Sequence, residues 1–242
     1  MGRAYAVREA SIKKNGAAKG KIYTTFAKEI YLVCKKGGCE VEANSELKRL
    51  IDKAKKNQVP SDIIDRAIAK AKGANQEDYK EVIYEGFGPG ASTLVIKTLT
   101  DNVNRTVGEV RAAFNKVHKS LGVTNSVTYN YDHLSIVGIK SDKYDELFEA
   151  ILNEGIDIID LEQDKDLLVV TAKYNDGARV KDVIDKMFGN IEYEIDESGM
   201  YPKDKITLDG EDLEIFNKLY KMLDEIEDVS EIYTNVEDSL IS

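Results

Sequence analysis

In the first third of the chain the apolar positions recur at helical spacing. Ile22, Phe26, Ile30 and Val33 repeat every three to four residues until Gly37-Gly38 stops the run, which predicts a first helix. Asn44 or Ser45 can cap a second, in which Leu47, Leu50, Ile51 and Ala54 share one face while Arg49, Lys53 and Lys56 share the other. Pro60 suits the first turn of a third, with Ile64, Ala67, Ile68 and Ala71 inward and Gly73 at its end. Three short amphipathic helices can only bury their stripes against one another, so the pattern predicts a small bundle. The stretch before it, Arg3 to Lys21, is basic, rich in small residues and without apolar periodicity, and reads as a mobile arm.

Past the polar break at residues 73–79 the period changes. Val82 to Gly86 and Ser92 to Thr100 read as strands, Val103 to His118 as a helix with Val107, Val110, Phe114 and Val117 inward, and Ser126 to Tyr131 as a strand. From Leu134 to Ile195 the order strand, helix, strand, strand, helix, strand is that of a ferredoxin-like unit. A strand at Lys205 to Leu208, a helix from Glu211 to Ile226 and a strand over Val229 to Val236 follow. Added to Ser92–Tyr131, they complete a second βαββαβ set, so one domain is inserted in another. The expected fold is mixed α/β (α+β): an N-terminal three-helix domain followed by two ferredoxin-like α+β domains, the third inserted in the second. The expected boundaries are 1–78 for the basic helical domain with its arm, 79–133 plus 201–242 for the discontinuous domain, and 134–200 for the insertion.

The charge distribution gives this division a direction. The net charge of −10 hides a segregation: residues 1–80 hold 18 Lys and Arg against 10 Asp and Glu, whereas residues 131–242 hold 11 against 30. A basic N-terminal third attracts phosphates through its local field, and an acidic C-terminal half repels them or meets a basic protein partner. The longest apolar runs, such as Ile30 to Cys34, are far short of a membrane span, and the start lacks an export signal, so the expected location is the cytoplasm. Two cysteines, Cys34 and Cys39, suit a reducing compartment. With only His118 and His133 elsewhere in the chain, they make no zinc set, and neither metal nor cofactor is expected.

Catalysis finds little support. Neither histidine has a nucleophile near it in sequence, and Glu192, Glu194 and Asp196 alternate as a solvated strand face does. Gly86-Phe87-Gly88-Pro89-Gly90 joins two predicted strands and lacks the Gly-Lys-Ser/Thr ending of a phosphate loop, so it reads as a turn. Phosphate binding has better candidates. Lys13, Lys14, Lys19, Lys21, Lys28, Arg49, Lys53 and Lys56 supply cations, and Asn102, Asn104 and Arg105 stand at a helix start, where amides favour anions even as Asp101 or Asn102 caps it.

Several runs of residues resemble one family. Gly20-Lys21-Ile22-Tyr23, Ile51-Asp52-Lys53-Ala54-Lys55, Val59-Pro60, Ile64-Asp65-Arg66-Ala67-Ile68, Tyr84-Glu85-Gly86-Phe87-Gly88-Pro89 and Leu99-Thr100-Asp101-Asn102-Val103-Asn104-Arg105-Thr106 are similar, in the same order, to the YebC/PmpR family. Val110-Arg111-Ala112-Ala113-Phe114 and the Gly-x-x-x-Ser-Val-x-Tyr pattern from Gly122 to Tyr129 continue the likeness. The Met1-Gly2-Arg3 start and Gly86-Phe87 resemble the YeeN-like branch. Where the family usually has Trp-Ala-Asn-Ile-Lys near its start, this chain reads Ala4-Tyr5-Ala6-Val7-Arg8. The resemblance implies a three-domain α/β fold, cytoplasmic location, no cofactor, and a DNA-binding transcriptional regulator that is not an enzyme. The family's mitochondrial members are translational activators, which implies the alternative: a ribosome-associated translation factor that binds ribosomal or transfer RNA.

Overall fold

The computed structural model describes residues 19–73, 79–189 and 191–241. The helical third forms α1 (Lys19–Gly37), α2 (Ser45–Lys56) and α3 (Ser61–Lys72). Their apolar stripes meet in one core of Phe26, Ile30, Cys34, Leu47, Ile51, Ala54, Ile64, Ala67 and Ala71, with Cys34 buried where the spacing predicts Val33. Asn44 caps α2 by accepting from the Leu47 amide at 3.0 Å, while its own amide donates to the Gly38 carbonyl at 2.8 Å. Helix α1 starts earlier than its apolar spacing predicts: Lys19 and Lys21 are helical, not part of an arm. The Lys21 ammonium is tied to Asp224 at 2.7 Å, a tertiary anchor that holds the first turn ahead of the apolar stripe.

The chain continues through β1 (Lys80–Phe87), β2 (Thr93–Thr100), α4 (Val103–Lys116) and the two-residue β3 (Ser120–Leu121). It then passes through β4 (Tyr131–Lys140), α5 (Tyr144–Asn153), β5 (Ile158–Asp164), β6 (Leu167–Lys173), α6 (Gly177–Phe188) and β7 (Tyr193–Pro202), and ends with α7 (Gly210–Asp224) and β8 (Val229–Thr234). These strands make two four-stranded antiparallel sheets, ordered β3-β1-β2-β8 and β5-β6-β4-β7. The fold is mixed α/β, with an N-terminal helical region. Tyr129–Asp204 is one compact unit; the described residues on either side of it, 19–128 and 205–241, make the other.

In Tyr129–Asp204 the order is that of a ferredoxin-like sheet, its helix-covered face filled by Val137, Ile139, Leu147, Ile151, Leu168, Val170, Val180 and Ile184. A smaller cluster of Leu134, Ile136, Val169 and Ile195 occupies the opposite face. In the other unit the sheet has the same spatial arrangement reached by a different route. Two of the predicted strands are absent from it: of Ser126–Tyr131, residues 126–130 are a bend and a short 3-10 helix and Tyr131 already opens β4, and Lys205–Leu208 contributes only a single bridge from Ile206 to Val236. Their places are taken by β3 and by β1, which pairs with β2 as a hairpin along its full length. Helices α4 and α7 cover one face through Val110, Phe114, Phe216, Leu219 and Leu223, packed on Leu94 and Ile96. Burying each such side chain is worth about 1.5–3 kcal/mol.

Candidate nucleic-acid interface

The structure separates the predicted cations into three groups. Lys13 and Lys14 lie outside the described residues. Lys21, Lys28 and Arg105 are drawn to carboxylates near the end of the chain. Arg49, Lys53 and Lys56 stand together on α2, and Lys19 is exposed at the first turn of α1.

The second group is built around Asp228, which is 4% exposed. It accepts from the Lys28 ammonium at 2.9 Å, the Arg105 guanidinium at 2.6 Å, and the hydroxyls of Thr106 at 2.7 Å and Thr100 at 3.0 Å. Burial alone would push this carboxyl up; the bonds from Arg105, Lys28 and Thr106 outweigh it and hold Asp228 well below the usual carboxylate range. Lys28 is itself buried and also donates to the Leu99 carbonyl at 3.2 Å, so it fastens α1 to the end of β2. Its ammonium is enclosed by the protein, which takes it out of any phosphate-facing surface. Arg105 bonds Asp228 first and Asp101 second, at 2.8 Å, and both keep its guanidinium firmly protonated.

Asn102 caps α4: it accepts from the Arg105 amide at 3.1 Å, and its carbonyl takes the Thr106 amide. Asn104 is exposed on the first turn. The cleft beside this turn, about 580 Å³, is lined by Asp101, Glu109, Glu225, Glu227 and Asp228 against Lys28 and Arg105. An anion entering it would meet more negative charge than positive.

The third group lies along one helix. Arg49, Lys53 and Lys56 follow at i, i+4 and i+7 along α2, on the side opposite Leu47, Ile51 and Ala54, with Lys48 and Lys55 beside them. The Arg49 guanidinium contacts the Ser45 hydroxyl at 3.4 Å. Residues 19–73 hold 13 Lys and Arg against 7 Asp and Glu, so this row sits in a field of its own sign.

Sequence reasoning passed over a further feature. Glu85, 5% exposed, accepts three backbone amides, from Asn125 at 2.6 Å, Val127 at 2.7 Å and Thr128 at 2.8 Å. Burial raises its carboxyl, yet those amides outweigh it and hold the group below its ordinary value. This carboxylate is what curls residues 125–128 out of the predicted strand. An acidic residue directly after the Val82-Ile83-Tyr84 run of the strand was the signal that could have found it.

The glycine-rich segment after β1 is a tight turn, closed by Gly88 N–H to the Ser92 carbonyl at 2.9 Å and Ser92 N–H to the Pro89 carbonyl at 3.1 Å. His118, at φ 55°, follows α4, and the His133 ring stacks on Tyr174 at 3.8 Å between centroids. Among the described residues, no group of three or more His, Cys, Asp or Glu side chains could hold a metal ion, and no helix is long and apolar enough to cross a membrane.

Comparison with known proteins matches residues 3–74 to the profile of the TACO1/YebC protein N-terminal domain and residues 79–236 to that of the TACO1/YebC second and third domain. The chain belongs to the TACO1/YebC family. Among similar TACO1/YebC proteins is a probable transcriptional regulatory protein of Alcanivorax borkumensis, 39% identical over 98% of this chain and 99% of its own. Another bearing that description, from Hydrogenovibrio crunogenus, is 40% identical over 98% of this chain and all of its own. A crystal structure of a conserved hypothetical protein from Aquifex aeolicus shares the fold, with 28% identity, a TM-score of 0.67 and 92% of each chain covered. The regulatory descriptions of these TACO1/YebC relatives point to control of gene expression rather than catalysis.

Proposed function

We propose that the protein is a non-enzymatic, cytoplasmic regulator of gene expression that binds nucleic acid, in the first instance duplex DNA, through the basic outer face of α2. The observation that carries this reading is the row of Arg49, Lys53 and Lys56 along α2, on the side of the helix away from Leu47, Ile51 and Ala54, with Lys55 and Lys56 exposed. Contacts of this kind fix position on a phosphate backbone and carry no base sequence. The division into 1–78, 79–133 with 201–242, and 134–200 enters as a division of labour: the helical part meets phosphates, and the acidic parts are available to a protein partner. No cofactor takes part, and the regulatory names of the relatives support a binding role over a chemical one.

The test compares wild type with the triple variant Arg49→Gln, Lys53→Gln, Lys56→Gln for binding to duplex DNA and to ribosomes over a range of salt. Removing three phosphate contacts should flatten the slope of log affinity against log salt by roughly 2–3. Duplex binding that is lost in the variant, with no ribosome binding, supports transcriptional control. Ribosome binding with the same sensitivity would replace DNA by ribosomal RNA as the ligand, and an unchanged slope would remove α2 from the interface.

A further inference from the structure

Both helices of Tyr129–Asp204 pack on one face of its sheet, against Val137, Leu168 and Val170, and leave the other face without a helix. Residues opposite one another in an antiparallel pair share a face, so the register assigns the helix-free side strand by strand. Ile136 pairs with Thr171, and Gly138 with Val169 on one side and Ile195 on the other. On the edge strand β5, Asp160 pairs with Thr171, Glu162 with Val169 and Asp164 with Leu167, so three carboxylates border the same face. The apolar centre between them is closed to water: Ile136 is 0% exposed, Leu134 and Val169 2% each, and Ile195 6%. An apolar sheet face is buried to this degree only under a second layer.

The border restricts what that layer is made of. Among the described residues, no cation is ion-paired with Asp160, Glu162 or Asp164. Burial raises the Glu162 carboxyl, and the neighbouring Asp160 raises it further. Positive charge is scarce in this unit, where residues 129–204 hold 8 Lys and Arg against 19 Asp and Glu, whereas residues 1–18 hold 4 against 1. That N-terminal segment has the other property the face asks for. Ala4, Ala6 and Ala10 let a backbone lie close on a flat apolar surface, and Tyr5, Val7 and Ile12 add apolar area between the charges. Extended, residues 3–14 reach about 40 Å, more than the roughly 14 Å across four strands.

We propose that residues 3–14 lie extended across the helix-free face, with their apolar side chains over Ile136 and Val169 and with Arg3, Arg8, Lys13 and Lys14 answering the carboxylates of β5. The acidic unit is then a store for the basic arm of its own chain. This consequence rests on the nucleic-acid reading above: the same cations have two rival partners, carboxylates and phosphates, and the arm serves one at a time.

The full-length protein at low salt is treated with a carbodiimide, which joins ammonium and carboxylate groups already in contact. Peptide mass spectrometry should find Lys13 or Lys14 linked to Asp160, Glu162 or Asp164 within one chain. Subtilisin, which needs no basic residue, should cut within residues 3–14 about tenfold faster in the Asp160→Lys, Glu162→Lys, Asp164→Lys variant than in wild type, because like charges now repel the arm. Arg8→Glu, Lys13→Glu, Lys14→Glu should have the same effect, and the combination of both sets should slow the cut again, which a merely misfolded variant would not do. Equal cutting in all four proteins, with no such cross-link in wild type, overturns the docking. Neutralising the edge with Asp160→Asn, Glu162→Gln, Asp164→Asn should also tighten duplex DNA binding several-fold by freeing the arm. Cross-links and charge-swap rescue without that gain uphold the docking and remove nucleic acid as the rival partner.

Discussion

Asp228 is an electrostatic hub, because one carboxylate collects an ammonium, a guanidinium and two hydroxyls. Removing it by Asp228→Ala would leave the buried Lys28 charge uncompensated, and a loss of about 3–5 kcal/mol is expected in urea unfolding. Both Asp228 and Glu85 are held below their ordinary values. Groups of this kind contribute fully above their unfolded-chain pKa, about 3.9 for Asp and 4.3 for Glu, and the contribution is lost as pH falls through the depressed folded values. Stability should therefore drop steeply below about pH 4. Glu85→Gln should cost about 3 kcal/mol at neutral pH and flatten that acid limb, which unfolding at a series of pH values would show. At this scale the sequence was only half legible. Lys28 reads as one more surface cation on an amphipathic helix, since nothing local announces a carboxylate 200 residues away. Arg49, Lys53 and Lys56 could be placed correctly opposite a buried stripe because their spacing is a property of the helix alone.

Among the elements, local periodicity succeeded wherever a helix or long strand buries a regular face. It failed at Ser126–Tyr131, where β-branched and aromatic residues have strand character but the side chain of Glu85 takes the amides a neighbouring strand would have bonded. It failed also at Lys205–Leu208, because β1 already fills that place in the sheet. The register of β1 can be tested at Gly86, where a Cβ would drive into the Phe114 ring from α4. Gly86→Ala should lower stability by about 1–3 kcal/mol, as overpacking does, and Phe114→Leu in the same chain should recover part of it. Thermal unfolding of the single and double variants would measure that coupling.

For the molecule as a whole, the segregation of charge was legible from simple counting, and the way the acidic end reaches back to the basic one was not. The unit Tyr129–Asp204 leaves and re-enters its host at neighbouring points: Tyr131 pairs with Pro202, and Asn130 accepts the Lys203 amide at 2.9 Å. Joining Thr128 to Lys205 through a short flexible linker should consequently preserve the host core of Leu94, Phe114, Phe216 and Leu223, with a single cooperative urea transition and the α2-dependent duplex binding retained. The same arrangement sets a schedule during synthesis. Lys28 leaves the ribosome 200 residues ahead of Asp228, a lag of about 10–40 s at roughly 5–20 residues per second. By then Tyr129–Asp204 has all four of its strands, while the older host sheet still lacks β8. Of the two sheets, the one made second is thus the first that can close, and the newborn basic helix waits for its counter-charge until translation is nearly over.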